Sequence, residues 1–272
     1  MSEHSSAQGS AHGTGHAAAG HAAAGDGGGT GLPASLEAAW GLRGRPPRGP
    51  RPGLSLERIV AAAVRVAGAE GLAAVSMSRV AAELGTAPMS LYRYVAAKDE
   101  LLGLMVDAAH GPAPAPPHDG EDWRAGMSRW AWAIRAAYQR HPWVLEIPIS
   151  GLPIRPNEVT WFEEGLRCLA GTGLAEEEKA SVMLLVSGYT RNAASIDADI
   201  ERAVRASGRA PSDWMASYAA TLARLADPGR FPAIARFLAA GVFDEADPPD
   251  AEFTFGLDRI LDGIAVLVHA RG

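Results

Sequence analysis

The chain has 272 residues, of which 47% are hydrophobic and 21% charged, a composition typical of a soluble globular protein with a sizeable core. No stretch approaches the roughly 18 to 20 consecutive apolar residues of a membrane-spanning helix. A single cysteine, Cys168, excludes an intrachain disulfide and a cysteine-based zinc cluster, and it is expected to be a small buried side chain.

The net charge of −6 is unevenly distributed along the chain. Residues 41 to 98 contain nine Arg or Lys and three Glu, a net charge of +6, whereas residues 99 to 272 carry a net charge of −9. A basic module on an acidic body indicates a polyanionic partner at one end only. A solvated basic face without a partner would have the same composition. The positions of the cations within the predicted elements must distinguish these two alternatives.

The first forty residues are rich in Gly, Ala, Ser and His and have no apolar periodicity, so we expect them to be disordered. They lack the basic start and leucine-rich run of a secretory signal, which favours a cytoplasmic protein. Residues 43 to 53, RGRPPRGPRPG, form a basic arm that suits a narrow minor groove, or else a linker without function. The arginines of this arm are Arg43, Arg45, Arg48 and Arg51.

Three helices are predicted to follow, with order beginning at Leu54. Ser55 is a predicted N-cap for the first helix, which ends at Gly71. Ser76 caps a second, short helix that ends before a Gly-Thr-Ala turn. Pro88 suits the first turn of a third helix because its missing N–H would have no intrahelical partner there. The pattern of helix, three-residue turn and helix predicts a helix-turn-helix module.

The third helix has an unusual outward face. Leu91 and Val95 lie about 40° apart on a helical wheel and must face the core, which directs Arg93 outward. Arginine and serine can hydrogen-bond base edges, methionine can touch a thymine methyl, and tyrosine hydroxyls can reach phosphates. The alternative is that the tyrosines are half-buried against neighbouring helices and that the arginine is solvated, which is common when one helix is considered alone. The other residues of this outward face and its two flanks are Met89, Ser90, Tyr92 and Tyr94.

Lys98 stands at the start of a predicted fourth helix, where Asp99 and Glu100 suit the helix dipole and a cation does not. A phosphate bound at that N-terminus would explain why a cation stands there, because it can bind both the free backbone N–H groups and the ammonium group of Lys98. The position of Lys98 therefore favours a nucleic acid as the polyanion.

Residues 55 to 109 carry several short motifs in a fixed order. A first helix is followed by Gly-Leu, a short helix ends in Leu-Gly, the third helix contains Leu-Tyr-x-x-Val, and Lys-Asp-Glu-Leu comes next. In this order the motifs resemble the DNA-binding domain of the TetR family of bacterial transcriptional regulators. The matching residues are Gly71, Leu72, Leu84, Gly85, Leu91, Tyr92, Val95 and Lys98 to Leu101.

The resemblance implies that the third helix enters the major groove of double-stranded DNA. It implies that Tyr92 and Lys98 hold phosphates and that Ser78, on the supporting helix, also contacts DNA. Pro88 occupies a position where some family members carry a base-reading polar side chain, so their operator sequences do not transfer to this chain. The residues implied to face bases or backbone in the groove are Met89, Ser90, Arg93 and Tyr94.

The acidic body is predicted to be helical. Trp123 begins one striped helix that stops before His141, and a second carries the stripe Val159, Phe162, Leu166 and Leu169. The helix from about Glu176 to Arg205 and the last helix are apolar on nearly all sides, which indicates burial on two sides. We expect a four-helix bundle between two copies, with Ile264 at its seam, although a larger monomeric core would explain the same pattern.

Residues 121 to 270 resemble, more loosely, the ligand-binding domain of family members similar to the tetracycline repressor. Trp132 and Trp161 fall outside the main stripes of their helices, so they are candidates to line a cavity for a small-molecule effector, either apolar or aromatic. Packing between helices or at a dimer seam is the alternative for each candidate. The remaining candidates are Met183, Arg191 and Asn192.

The sequence therefore predicts an all-α protein with a disordered tail and arm over residues 1–53, a three-helix helix-turn-helix domain over 54–110 and a ligand-binding and dimerisation domain over 121–272. We expect a homodimeric repressor of a palindromic operator that a small molecule releases. A ligand-responsive activator is the first alternative, and a helical binding protein or enzyme without DNA binding is the second. No nucleophile beside a base, metal cluster or cofactor loop is visible, so neither catalysis nor a cofactor is expected.

Overall fold

The computed structural model describes residues 30–42, 53–116, 120–149, 151–243, 248 and 250–271. Within these residues all regular secondary structure is helical, so the all-α prediction is confirmed. The residues from Pro33 onward form one compact unit. The arm arginines lie outside the described residues; they are Arg43, Arg45, Arg48 and Arg51.

The helices of the N-terminal half begin where the sequence predicts capping residues. Ser55 accepts a hydrogen bond from the backbone N–H of Arg58 at 3.3 Å, and Ser76 accepts one from Arg79 at 3.1 Å. These bonds satisfy backbone donors that the first turn of a helix leaves free. The helices are α1 (Ala34–Ala39), α2 (Leu56–Glu70), α3 (Met77–Glu83), α4 (Pro88–Leu91) and α5 (Lys98–His110), with a 3₁₀ turn at Leu72–Ala74.

The turn between α3 and α4 has the hydrogen bonds of a Schellman motif. The backbone N–H of Thr86 donates to Ala81 at 2.9 Å, and that of Gly85 donates to Ala82 at 3.1 Å. Gly85 has a φ of 65°, a conformation that costs a glycine little. A sharp end to α3 therefore follows from this glycine, and α4 starts with Pro88 at its first position.

The expectation that order begins at Leu54 is wrong, because α1 precedes it. This helix spans Ala34–Ala39 and buries Ser35 and Leu36. A six-residue helix with one buried leucine has too few apolar positions for a periodic signal, and so short a helix does not form in isolation. Contacts with the rest of the fold must hold α1 in place.

The body contains six further helices among the described residues. Of these, α6, α7, α8 and α11 pack together, and α5 contacts both α2 and the body helices α6 and α7. Sequence periodicity singled out neither α9 nor α10, and neither helix has a buried residue. The bounds are α6 (Trp123–Arg140), α7 (Pro156–Cys168), α8 (Glu176–Ser207), α9 (Pro211–Leu225), α10 (Pro232–Ala239) and α11 (Ala251–His269), with a 3₁₀ turn at Pro142–Glu146.

The buried face of α7 differs from the predicted stripe. Phe162, expected on the inner face, is 37% exposed, whereas Trp161 is buried and Cys168 is buried as expected. The buried face of α7 is thus turned from Phe162 towards Trp161. Gly165 allows this orientation, because a Cβ at that position would collide with the Met183 side chain of α8. A periodicity count overlooks glycine, yet glycine lets two helices approach closely. The expectation that Trp161 lies off the main stripe is therefore wrong.

Among the described residues one hydrophobic core joins α2 to α8 with α11 and contains no residue of α9 or α10. Because α5 packs on α2 at one end and on α6 and α7 at the other, this helix joins the helix-turn-helix module to the body. No helix in the described part of the chain is long and apolar enough to span a membrane.

Candidate functional site

Helix α4 and the turn that follows it, residues 88–95, combine a buried anchor with an exposed face; the third helix ends at Leu91, earlier than predicted, and residues 92–94 form a turn. Leu91 and Val95 are fully buried, as the wheel predicts. On the opposite side Met89 is 74% exposed and Tyr92 is 46% exposed. Arg93 is also exposed and Ser90 is partly buried beside them, while Ser78 is exposed on the supporting helix α3.

Two exposed cations at this face are free of internal partners. Within the described residues neither Arg93 nor Lys98 has an ion pair or side-chain hydrogen bond. Arg79, by contrast, pairs with Glu70 at 2.5 Å and with Glu83 at 3.2 Å. The charge of Arg79 is therefore neutralised within the protein, whereas those of Arg93 and Lys98 are available to an external anion.

The two tyrosines of this region point in different directions. Tyr94 is partly buried, and its hydroxyl donates to the backbone carbonyl of Leu54 at 3.0 Å. The hydroxyl of Tyr94 is thereby used to hold the start of α2, whereas Tyr92 remains open to solvent. The sequence pattern does not distinguish them, since both lie on the flanks of the helical wheel.

The N-terminus of α5 presents Lys98 and Asp99 to solvent. Ala97, its N-cap, supplies no side-chain hydrogen bond. Glu100 reaches back to accept the backbone N–H of Ala96 at 2.5 Å and also accepts the hydroxyl of Ser35. The Glu100 carboxylate is therefore engaged on the protein side, which leaves Lys98 at the open edge of the face.

Two family models match the chain. Residues 59–105 match the model of bacterial regulatory proteins of the tetR family, and residues 115–268 match the tetracyclin repressor-like C-terminal domain. The second match alone covers more than half of the chain. The chain belongs to the TetR family. It is a DNA-binding transcriptional repressor of that family and not an enzyme.

Relatives and solved structures agree with this assignment to the TetR family. The HTH-type transcriptional repressor DrrR1 of Streptomyces coeruleorubidus is 39% identical over 239 residues, which is 87% of each chain. The structure of ActR from Streptomyces coelicolor in complex with actinorhodin has a TM-score of 0.64 at 28% identity, over 79% of this chain and 98% of ActR. Apo ActR gives a TM-score of 0.65 at 26% identity, over 82% of this chain and all of ActR.

In this TetR-family protein an aromatic group lies at the centre of the body. The Trp161 ring lies 6.4 Å from that of Trp130 and 6.3 Å from that of His110. The Tyr138 ring lies 5.7 Å from His110, and the Arg191 guanidinium lies 5.9 Å from the Tyr138 ring. Four helices, α5 to α8, therefore contribute to one cluster of side chains, which we call the central aromatic group.

The five predicted ligand residues occupy different places. Trp161 belongs to the central aromatic group and donates its indole N–H to Gly111 at 2.9 Å. Met183 is buried and contacts the same region beside Gly165. Arg191 donates to the carbonyls of Leu145 and Ile147, each at 2.9 Å.

The other two candidates lie outside the central aromatic group. Trp132 packs edge-on against Phe253, with ring centroids 4.7 Å apart, and Asn192 is exposed on α8. Of the five candidates, the structure thus brings three together and places two apart.

Burial changes the proton affinities within the central aromatic group. Desolvation lowers the pKa of His110 below its ordinary value, and desolvation raises the pKa of Tyr138. In the 3₁₀ turn that Arg191 contacts, the indole N–H of Trp143 is buried without a hydrogen-bond partner among the described residues. Because buried polar atoms normally have partners, this N–H favours a ligand with a hydrogen-bond acceptor.

Sequence reasoning missed two charged side chains that organise the body. Arg135, 5% exposed, pairs with Asp197 of α8 at 2.8 Å and also with Asp250 before α11. Asp107 of α5 is 7% exposed and contacts the start of α7. No sequence signal links partners that lie more than fifty positions apart. Among the described residues no group of His, Cys, Asp and Glu is arranged to hold a metal ion.

Proposed function

We propose that this repressor binds a palindromic DNA operator as a homodimer and that a small molecule bound in the body releases it. The observation that carries the proposal is the exposed face formed by α4, the turn after it and the start of α5, where Arg93 and Lys98 have no internal partner among the described residues. Met89, Ser90 and Tyr92 precede Arg93 along this segment and provide apolar and hydrogen-bonding groups for a groove. Its place of action is then the cytoplasm, together with its DNA.

The roles of individual residues in this face follow from their surroundings. Arg93 lies at the centre, so we assign it to base edges, with Met89 and Ser90 beside it. Lys98 and the hydroxyl of Tyr92 lie at the margin and are assigned to phosphates. Ser78 is assigned to the DNA backbone from α3. The Tyr94 hydroxyl is engaged with Leu54, so we assign Tyr94 a supporting role.

A homodimer is supported by apolar side chains that one copy leaves exposed on α8 and α11. Leu184 is 75% exposed, Phe255 62% and Val266 71%. A groove of about 480 Å³ between these two helices is lined by apolar residues such as Leu185 and Leu267. A second copy would cover these side chains and place two α4 helices on two half-sites, roughly 34 to 36 Å apart.

Ile264 is not the seam residue that the sequence suggested. It is 4% exposed within a single copy, so it belongs to the core of the protomer. The helix is apolar on several sides, but only one side is covered by its own chain. Val266 is therefore the better probe of an interface between copies.

The effector site is proposed at the central aromatic group, with Trp161, Met183 and Arg191 as contacts. The buried Trp143 N–H, in the 3₁₀ turn whose Leu145 carbonyl Arg191 contacts, has no partner among the described residues and supports an apolar or aromatic ligand that also carries a hydrogen-bonding oxygen atom. The ActR structure in complex with actinorhodin supports the idea of a small-molecule ligand in this fold. Trp132 and Asn192 stay candidates from the sequence only.

Release follows from the position of α5. This helix carries Lys98 at one end and His110 at the other, so a ligand that displaces His110 shifts the DNA-binding module as well. The α4 helices of the two copies, moved in this way, no longer match successive major grooves. By linkage, the operator must weaken ligand binding by the same factor.

The basic arm before α2 is proposed as an additional DNA contact, on its composition alone. Four arginines spaced by Pro and Gly would add a salt-dependent contribution to affinity, up to about four phosphate contacts. Deleting the arm should then reduce the dependence of binding on salt.

The proposal is tested by selecting genomic fragments that bind the full-length protein and comparing them. We expect a shared inverted repeat whose binding weakens steeply as salt rises, because phosphate contacts release counterions. Compounds are then screened for release of the selected fragment. Selection of fragments without a shared repeat would contradict operator recognition, and release by no compound would contradict the effector model.

A further inference from the structure

Helix α1 and the residues next to it lie outside both matched ranges, which begin at residue 59. We call residues 33–42 the strap. The strap buries only Ser35 and Leu36, so it adds little to the core. Its polar contacts nevertheless reach the DNA-binding half and the body of the protein, and both contacts involve residues more than sixty positions away.

The first contact joins the strap to α5. The hydroxyl of Ser35, 2% exposed, donates to the Glu100 carboxylate in the first turn of that helix. Glu100 also accepts the backbone N–H of Ala96, in the connection between α4 and α5. Ser35 is therefore tied to the edge of the DNA-binding face, two residues from Lys98.

The second contact joins the strap to the body. The indole N–H of Trp40 donates to the carbonyl of Ile154 at 2.9 Å, in the segment that leads into α7. Glu158 of α7 accepts the backbone N–H groups of Ile154 and Arg155, both at 3.4 Å, which fixes this lead-in segment. Trp40 thereby contacts the segment that leads into α7.

α5 and α7 also contact each other directly near this point. The Arg155 guanidinium packs over Gly103 of α5, where a Cβ would collide with it. Asp107, one turn further along α5, accepts the backbone N–H of Glu158 at 2.9 Å. The strap therefore closes a set of contacts in which α5 is already held against α7 at two points.

We propose that the strap positions the DNA-binding module by clamping the start of α5 to the lead-in segment of α7, with Trp40 and Ser35 as positioning residues. This inference rests on the proposed function, in which a homodimer binds the two half-sites of a palindromic operator. A module held at one angle binds half-sites at one spacing well and at other spacings poorly. Without the strap the module samples more angles, so the protein loses discrimination between spacings while each half-site contact stays intact.

The experiment uses the full chain and the operator selected by the wild-type protein. Its readout is the spacing ratio, which is the dissociation constant for DNA with one base pair inserted between the half-sites divided by that for DNA with the selected spacing. Trp40→Ala removes the ring and the donor, Trp40→Phe removes only the donor, and Ser35→Ala removes the other contact. Trp214→Ala, at a tryptophan of α9 whose ring stacks on Tyr218, is the matched control. Denaturant midpoints show that each variant is folded.

We expect the two Trp40 variants to lower the spacing ratio by about two- to tenfold, the factor that one neutral hydrogen bond contributes to an equilibrium. Ser35→Ala should lower it at least as much, because the acceptor of its hydrogen bond is a carboxylate. The control should keep the wild-type ratio. A wild-type ratio in Trp40→Ala, Trp40→Phe and Ser35→Ala, all folded, would overturn the proposal. A change in single half-site affinity with an unchanged ratio would also overturn it, because the strap would then act on the DNA-binding face itself.

Failure of the proposed function gives a different result. If the wild-type protein selects no operator, the strap is tested by amide hydrogen exchange of residues 98–104 and 152–158. Faster exchange of both segments in Trp40→Ala, with wild-type rates in Trp214→Ala, supports the clamp. Equal rates in the two variants overturn it.

Discussion

The carboxylate of Asp107 caps the helix that contains Glu158. Its Oδ1 atom accepts the backbone N–H of Glu158 at 2.9 Å, and its Oδ2 atom accepts the side-chain amide of Asn157 at 3.2 Å. The N-cap position of α7 is Arg155, whose side chain supplies no capping bond, so a residue of α5 takes that role. The start of one body helix is thus stabilised by the helix that leads to the DNA-binding face.

Replacing Asp107 by alanine should lower the free energy of unfolding by about 1 to 2 kcal/mol, the usual value of an N-cap. Asp107→Asn keeps an acceptor oxygen and should lose less, which separates the hydrogen bond from the bulk of the side chain. Urea unfolding followed by circular dichroism measures both. Equal losses for the two variants would show that packing, and not capping, is the contribution of Asp107.

Tyr92 and Tyr94 form a matched pair for testing which side chain meets DNA. Tyr94→Phe loses the bond to Leu54 and should cost about 1 kcal/mol of stability while leaving the affinity for operator nearly unchanged. Tyr92→Phe should leave stability unchanged and weaken binding to cognate and random DNA alike. Thermal unfolding and titration of both DNAs decide. A reversed pattern would exchange the roles of the two tyrosines.

Arg93 and Lys98 should differ in what their loss does to binding. Arg93→Ala should weaken cognate operator by roughly 1 to 3 kcal/mol per half-site and random DNA much less, because a base-reading guanidinium distinguishes sequences. Lys98→Ala should weaken both DNAs about equally and lower the salt slope by about one per half-site. Titrations at several salt concentrations measure both effects.

Both side chains are exposed and away from Leu91 and Val95, so folding should survive both substitutions. If Arg93→Ala leaves the ratio of cognate to random affinity untouched in a folded protein, Arg93 contacts backbone only. Sequence would then be read by Met89, Ser90 or the arm.

Val266→Asp should convert the protein to monomers in sedimentation, because an unpaired carboxylate buried between two copies costs several kcal/mol. Val266 is 71% exposed in one copy, so the protomer itself should stay folded. Ile149→Asp, at a side chain 75% exposed and outside α8 and α11, is the control and should remain dimeric. Dimeric Val266→Asp would move the interface away from this side of α11.

His110 should make the stability of the protein depend on pH. Burial lowers the pKa of His110, so the unfolded chain, in which histidine has a pKa of about 6.5, binds the proton more readily. The free energy of unfolding should therefore fall as the pH drops below about 6.5, until the pKa of the folded state is passed. His110→Gln should reduce this slope.

Part of the slope should remain in His110→Gln, because burial also lowers the pKa of His141. Denaturant unfolding between pH 7.5 and pH 5, on the acid side of about 6.5, measures the difference. Equal slopes for the wild-type protein and His110→Gln would mean that His110 titrates alike in the folded and unfolded states.

The sequence by itself determined the parts of this protein whose hydrogen bonds are local. The caps at Ser55 and Ser76, the end of α3 at Gly85 and the start of α4 at Pro88 each depend on partners within about five residues. The burial of Leu91 and Val95 and the exposure of Arg93 agree with the helical period, although α4 ends at Leu91 and a turn connects it to Val95. The family motifs lie in these same local elements, so the family was readable as well.

Only the tertiary structure decided features whose partners are distant in the chain. Ser35 meets Glu100, Tyr94 meets Leu54, and Asp107 meets Glu158 across 65, 40 and 51 positions. Gly165 turned α7 so that Trp161 is inside, which an apolar count cannot register because glycine carries no side chain. Hydrophobic periodicity and helix propensity indicate which side of one helix faces the core and which faces solvent. The contacts above depend instead on which helices pack against each other and how closely.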